Sequence, residues 1–472
     1  MKSRLVEIIV TCSLVASCAV GPDYKRPESR LPASLPPTPA PTTKIDTNWW
    51  KQFGDPTLSQ LVQAALEHNL DLQIALARVD EARARLGIAK SEFWPSLDLR
   101  GDAGREKVSE TGPTLLTPGA ESTTNFFSLG LILSYEIDFW GKVRRSNEAA
   151  RAQLLREDFN RVNVQLTIVS QVVSAYFALR SLDLQHSIAM NTVQSRKGSY
   201  DLIYKRFKGG VGNELNARQA EAEMHSAQTS VYKLEEQVSR AESFLSVLIG
   251  REPREVIESP IVRGQRLDEI AVPPQLPASL PSSVLERRPD IAAAEQNLIS
   301  ANAYIGVAKA YYFPSISLIG AFGFESAELK NLFNSDSQKW AYGAGISMPI
   351  FNGGKTGHMV EAATARQKEA VARYRQVIQN AFVEVRDSLQ RYKSYRDVIV
   401  AQKMEVTAVE RNLYLANLRY TNGQSPYLEV LDAERQLFDV QLDLVRSQQS
   451  QLIAVVDLYK SLGGGWEQPE KK

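Results

Sequence analysis

The chain repeats itself, and no other feature constrains its fold as much. Leu86-Gly87-Ile88-Ala89-Lys90 returns as Ile305-Gly306-Val307-Ala308-Lys309, and the same offset carries Trp94-Pro95-Ser96-Leu97 onto Phe313-Pro314-Ser315-Ile316. A slightly shorter offset relates Arg206-Phe207 to Arg419-Tyr420, Gly210 to Gly423 and Leu215 to Leu428, so the first copy holds the longer hairpin loop. Two copies of one unit of roughly 200 residues are expected, at 54–252 and 283–466. A proline-rich linker at 253–282 joins them, and a tail at 467–472 follows.

Within each unit the hydrophobic period changes. Asp55 before Pro56 reads as an N-cap with a first-turn proline, opening a helical segment that is expected to run to about Glu92. Two strand-like runs follow, at about 94–106 and 124–139 in the first unit and 313–324 and 340–351 in the second. Then come a helix of roughly 65 residues, a glycine-rich turn and another long helix. Phe159, Val162, Leu166, Val169, Val173 and Tyr176 step by three and four, as do Phe382, Val385, Leu389 and Tyr392, and Val406, Val409, Leu413, Ala416 and Tyr420. This spacing makes a coiled-coil-like seam. At ~1.5 Å per residue such a helix is ~100 Å long, beyond any compact domain. Helices alone fit a lipid-anchored coiled-coil scaffold equally well.

The strands narrow the choice. Phe127, Leu129, Leu131, Leu133, Tyr135, Ile137 and Phe139 share one face, while Ser128, Gly130, Ile132, Ser134, Glu136 and Asp138 share the other. Leu97 and Leu99 oppose Asp98, Arg100 and Asp102. In the second unit Tyr342, Ala344, Ile346, Met348 and Ile350 alternate with Ala341, Gly343, Gly345 and Ser347. These lengths suit membrane-spanning β-strands. No segment of the mature chain reads as an apolar spanning helix, so membrane crossing falls to the strands. Four strands cannot close a barrel, and an open edge in lipid leaves backbone groups unpaired at several kcal/mol each, so spanning strands require oligomerisation. A soluble two-sheet arrangement is the alternative reading of the same alternation.

The N-terminus is a targeting segment. Lys2 and Arg4 precede a short apolar run at 8–16, too short to span, with Glu7 at its edge. It ends in Val15-Ala16-Ser17-Cys18, small residues before a cysteine, which resembles a bacterial lipoprotein signal. Residues 1–17 are expected to be removed, leaving Cys18 as the lipid-attachment residue and the first residue of the mature chain. Cys12 follows too short an apolar run and is lost with the signal, so no intrachain disulfide can form. Seven prolines from Pro22 to Pro41 predict an extended tether over 18–53.

Charge is balanced, 55 Lys and Arg against 54 Asp and Glu, so nothing marks the chain for nucleic acid. Gly353-Gly354-Lys355-Thr356 looks like the end of a phosphate loop, but the glycine such a loop needs five residues earlier is Pro349. It reads better as a strand-to-helix turn, with Gly141-Lys142 as counterpart. His68, His186, His225 and His358 are scattered without metal-ligand spacing, and no nucleophile elbow occurs. No enzymatic activity, metal or cofactor is expected.

Several motifs in order resemble one family: Cys18-Ala-Val-Gly-Pro-Asp-Tyr-Lys-Arg-Pro27, Trp49-Trp50 with Phe53-Gly54-Asp55-Pro56, and Arg287-Arg288-Pro289-Asp290-Ile291. Pro349-Ile350-Phe351-Asn352-Gly353-Gly354, Leu431-Asp432-Ala433-Glu434-Arg435 and Leu462-Gly463-Gly464-Gly465-Trp466 complete the set. The chain resembles the lipoprotein subgroup of the outer-membrane efflux (TolC-like) family that serves RND multidrug pumps. The resemblance implies a mixed α/β membrane protein, mainly long α-helices. It implies a homotrimer whose subunits give four strands each to a 12-stranded outer-membrane β-barrel, continued by a periplasmic α-helical barrel. It further implies a periplasmic adaptor (membrane fusion protein) and an inner-membrane RND transporter as partners, and a passive duct for drugs or other small toxic compounds. Within the channel class, a duct for one-step protein secretion is the alternative, and the lipoprotein start favours the drug-pump branch.

Leu428, Asp432 and Arg435 are spaced four and three apart, on one stripe of one helix after the turn at Gly423. By resemblance, matching positions narrow the periplasmic mouth, with Tyr420 before the turn as a partner. The plainer reading is an ordinary surface ion pair.

Overall fold

The computed structural model describes residues 19–28, 46–109, 122–273 and 288–466. Among these residues eight α-helices and four strands are labelled in chain order: α1 Pro56–His68, α2 Leu70–Ser91, β1 Ser96–Lys107, β2 Thr123–Ile137, α3 Lys142–Lys208, α4 Glu214–Leu248, α5 Pro253–Glu258, α6 Pro289–Ala310, β3 Ser315–Ser326, β4 Gln338–Ser347, α7 Lys355–Thr421 and α8 Tyr427–Ser461. Helix lengths match in pairs: α2 and α6 have 22 residues each, α3 and α7 have 67, and α4 and α8 have 35. The chain divides into two compact units. One comprises Met1–Glu28, Val79–Glu157 and Ala294–Tyr374; the other comprises Ser29–Arg78, Asp158–Ala293 and Arg375–Lys472.

The first unit holds the sheet, antiparallel in the order β1-β2-β3-β4, so β1 and β4 are its edges. Register decides its faces, because residues directly opposed across antiparallel strands point the same way. Leu99 pairs with Leu131, Leu131 with Phe322 and Phe322 with Trp340, one apolar row across all four strands. Leu97, Leu133, Gly320 and Tyr342 form a neighbouring row on that face. Arg100, Gly130, Gly323 and Lys339 lie opposite one another on the other face, where Arg100 pairs with Asp102 at 3.0 Å and Lys339 with Glu325 at 2.5 Å. β4 stops at Ser347, short of the expected 351, since Pro349 has no N–H to continue a ladder.

The expected tether does not describe residues 19–28. Val20 N donates to Trp140 O (3.0 Å), Asn302 Nδ2 to Pro22 O (2.8 Å) and Tyr24 Oη to Glu295 Oε1 (3.1 Å), while Asp23 pairs with Arg145 at 2.7 Å. Gly21, at φ +113°, lies so close to Gly306 that a Cβ would stand 2.5 Å from the Gly306 Cα. The proline-rich composition conceals a docked strap.

The second unit is built around a core to which Trp49, Trp50 and Phe53 contribute first, so the ordered domain begins before residue 54. Trp49 stacks on Tyr459 with centroids 5.0 Å apart, and Phe53 meets Phe177 edge-on at 4.9 Å. Around them pack Leu58 and Val62 of α1, Val172, Val173 and Tyr176 of α3, Leu245 of α4, and Val455 and Val456 of α8. Burying such a side chain contributes ~1.5–3 kcal/mol. Ile261, Leu267 and Ile270 join them from the expected linker, whose first half is therefore part of the core.

Two further expectations need correction. The helix from Pro56 is broken at Asn69, which ends α1 and caps α2: Oδ1 accepts from Asp71 N (2.9 Å) and Leu72 N (3.2 Å), and Nδ2 donates to Leu248 O (2.8 Å). Among the described residues one helix, α3, is nevertheless long and apolar enough to cross a membrane. Its most apolar residues, from Ile168 to Leu179, lie in the core just described, which accounts for that composition.

Candidate functional site

The stripe expected to carry function lies where four helix ends meet in the second unit. α3 turns into α4 through Gly210 (φ +76°), and α7 turns into α8 through Gly423 (φ +70°). In both turns the left-handed glycine ends one helix and lets the chain reverse. Ile203 of α3, Ala217 and Ala220 of α4, Ala416 of α7, and Tyr427, Val430, Leu431 and Ala433 of α8 form a small core there. The alanines let the helices of the two hairpins approach closely, and Tyr200, Phe207, Leu413 and Tyr420 pack against the core from its margins.

Outside this core, at the start of α8, stand Leu428, Asp432 and Arg435. Leu428 is 56% exposed. Arg435 Nη2 lies 3.3 Å from Asp432 Oδ1, so the expected pair forms. Tyr420 lies at the end of α7, on the other side of the turn. Its ring lies 5.2 Å from that of Tyr427, and the Arg206 guanidinium sits 5.8 Å above it, so Tyr420 braces the base of α8.

Sequence reasoning missed the charged cluster behind the stripe. Arg196 of α3 is buried, and its Nη1 donates to the Glu223 backbone oxygen and pairs with Glu223 Oε2, both at 3.0 Å. The other oxygen, Oε1, lies 3.8 Å from Arg435 Nε. Glu434 is turned inward, where Ser199 Oγ donates to it at 3.2 Å. Burial pushes the Glu434 carboxyl up from the usual carboxylate range against the pull of Arg196 and the Ser199 hydroxyl, and Glu223 adds to the rise. Burial likewise raises the Tyr427 hydroxyl, with Glu434 adding to it. The only local signal for this cluster was Glu434 itself, inside the motif Leu431-Asp432-Ala433-Glu434-Arg435.

Arg288 of the quoted Arg-Pro-Asp motif is structural. Nearly buried, it grips Asp290 at 2.7 Å, Glu384 at 2.7 Å and the Ser461 carbonyl at 2.8 Å, fastening the start of α6 to the end of α8. Cys18, the expected lipid site, lies outside the described residues.

The model of the outer membrane efflux protein family matches residues 61–251 and 280–464. The chain is 33% identical to the probable efflux pump outer membrane protein TtgC of Pseudomonas putida, over 99% of this chain and 96% of that one. It is 33% identical to the probable outer membrane lipoprotein SilC of Salmonella typhimurium over 470 residues, 98% of this chain, as it is to the cation efflux system protein CusC of Escherichia coli. Its fold is similar to the crystal structure of the Campylobacter jejuni CmeC outer membrane channel, with a TM-score of 0.91, 28% identity and 96% of each chain covered.

Proposed function

The chain belongs to the outer membrane efflux protein family, and from that premise we propose how its residues make a gated trimeric duct. It is an outer-membrane channel of a tripartite efflux pump and not an enzyme. Partners of that system are a periplasmic adaptor and an inner-membrane transporter, which supplies the energy. The cargo in this reading is drugs or other small toxic compounds.

The observation that carries the reading is the two-faced sheet with open edges. Its apolar face, with Leu99, Leu131, Phe322 and Trp340 in one row, fits lipid, and its charged face fits a wet lumen. Trp94 and Trp140, which flank the helical ends of β1 and β2, supply an aromatic girdle at that interface. The free edges of β1 and β4 must pair with neighbours in a bilayer. Three subunits give a 12-stranded barrel, and the paired helix lengths support two structural repeats that continue it as a helical barrel.

The docked strap supports lipid attachment at Cys18, the sole covalent group in this reading. Ala19 packs on Gly141, so closely that a Cβ there would stand 2.7 Å from its own. The residue after Cys18 thus sits beside the end of β2, where acyl chains would enter the same membrane as the strands. The gate is the stripe Leu428, Asp432 and Arg435, with Tyr420 bracing the helix that carries it. Light scattering of the intact protein in mild detergent tests the assembly: a trimer is expected, and a stable monomer contradicts the barrel.

A further inference from the structure

We propose that Arg105 and Lys107, at the end of β1 remote from the helices, bind the phosphate-bearing headgroup of an outer-leaflet lipid. The inference rests on the barrel reading and adds a ligand site to its lipid-facing wall.

Depth along the strands is the first argument. On the face that carries Leu131, β2 presents apolar or aromatic side chains at every position from Ile137 to Phe127. Those ~10 residue steps measure ~33 Å along the strand, and a tilt of ~40° reduces this to ~25 Å, the height of the apolar band of a membrane barrel. The next two positions on that face are Asn125 and Thr123, which the ladder sets opposite Arg105 and Lys107. All four side chains therefore stand just beyond the hydrocarbon, at headgroup level.

Chemistry is the second. Each of the four can donate hydrogen bonds, and no carboxylate stands in either pair. Glu106, between the two cations, pairs with Thr124 and so points to the other face. Arg105 and Lys107 are exposed, and among the described residues neither has an ion-pair partner. Cations at the helical ends of the strands differ in this: Lys142 pairs with Glu136 at 2.9 Å and Arg144 with Asp138 at 3.2 Å. A guanidinium can fork onto two phosphate oxygens, and the lysine adds a point charge. The occupant is a lipid and not free phosphate, because the apolar wall begins directly beneath, where acyl chains would lie against Ala103 and Leu99 of the same face.

The test is the thermal midpoint of the full-length protein in mild detergent, titrated with lipid A carrying its phosphates, with lipid A stripped of them, and with inorganic phosphate. The wild type is expected to gain stability from the phosphorylated lipid alone. Arg105→Gln with Lys107→Gln should need about twentyfold more of it for the same gain, at about fivefold per cation near an anionic surface. Lys107→Gln alone, at the strand terminus, should need about fivefold more. Arg105→Lys with Lys107→Arg keeps both charges and should respond like the wild type. An undiminished response in the glutamine variants, or an equal response to the stripped lipid, overturns the site. So does a response to inorganic phosphate that matches lipid A. A protein that is monomeric throughout contradicts the barrel reading itself, whereas a trimer indifferent to the phosphates contradicts this site alone.

Discussion

Tyr176 donates its hydroxyl to Asp55 Oδ2 at 2.6 Å, although the two residues lie far apart in the chain. Asp55 is 2% exposed and has three kinds of partner: Oδ1 caps α1 through Thr57 N and Leu58 N, and Oδ2 also receives Gln265 N at 3.0 Å. The Tyr176 oxygen in turn accepts from Gly264 N at 3.0 Å. One carboxylate thus joins the N-cap of α1, the middle of α3 and the segment between the two halves of the chain.

Tyr176→Phe removes one hydrogen bond to a charged group and strands the Gly264 N–H. A loss of about 1.5–3 kcal/mol is expected. It should appear as a lower thermal midpoint of the purified channel with its conductance retained. An unchanged midpoint would show that the bond contributes nothing net.

Cys18→Ala should abolish incorporation of labelled palmitate while the strands keep the protein in the outer membrane. Lipid attachment supplements a barrel that spans the membrane on its own, so fractionation should change less than labelling. Palmitate incorporation that persists in the variant would assign the lipid to another residue.

Leu131→Arg places a cation in the centre of the apolar row formed with Leu99 and Phe322. Near the bilayer midplane such a substitution costs ~2–4 kcal/mol, so the yield of membrane-inserted trimer should fall. Ser128→Arg, on the opposite face, should insert normally. Equal yields from the two would contradict the assignment of the faces.

Glu434 gives a pH dependence with a definite sign. Its folded pKa is raised by burial, so the fold binds the carboxyl proton more tightly than the unfolded chain does. The associated stability is fully present below the unfolded value of ~4.3 and is lost as pH rises through the higher folded value. Glu434→Gln should therefore have the higher thermal midpoint at neutral pH, with the gap closing as the pH is lowered towards that unfolded value. A gap independent of pH would remove Glu434 from the account.

How much of this was legible in the sequence depended on whether the determining contact was local. The repeated motifs announced a doubled order of elements, and the alternation through Leu129, Leu131 and Leu133 announced the apolar face, because both are periodic. The Asp55-Pro56 cap was equally readable, for its partners lie two and three residues on. The break at Asn69 was not, since Asn69 is oriented by Leu248 O from the end of another helix. Ile261, Leu267 and Ile270 were concealed among prolines and acquire meaning only once α1 and α8 are packed. At the helical turn, four-and-three spacing disclosed Asp432 and Arg435. Arg196 and Glu223 sit on different helices and share no pattern, so only the folded chain shows that they meet.

The central claim is a duct whose mouth is held by this stripe, and single-channel recording in planar bilayers tests it most directly. Purified wild-type protein should give discrete steps of low conductance. Asp432→Ala with Arg435→Ala should give larger steps, admit bulky antibiotics to cells, and leave the trimer as stable as before. Equal conductance and equal antibiotic entry for the two proteins would contradict the account and return Asp432 and Arg435 to an ordinary surface pair.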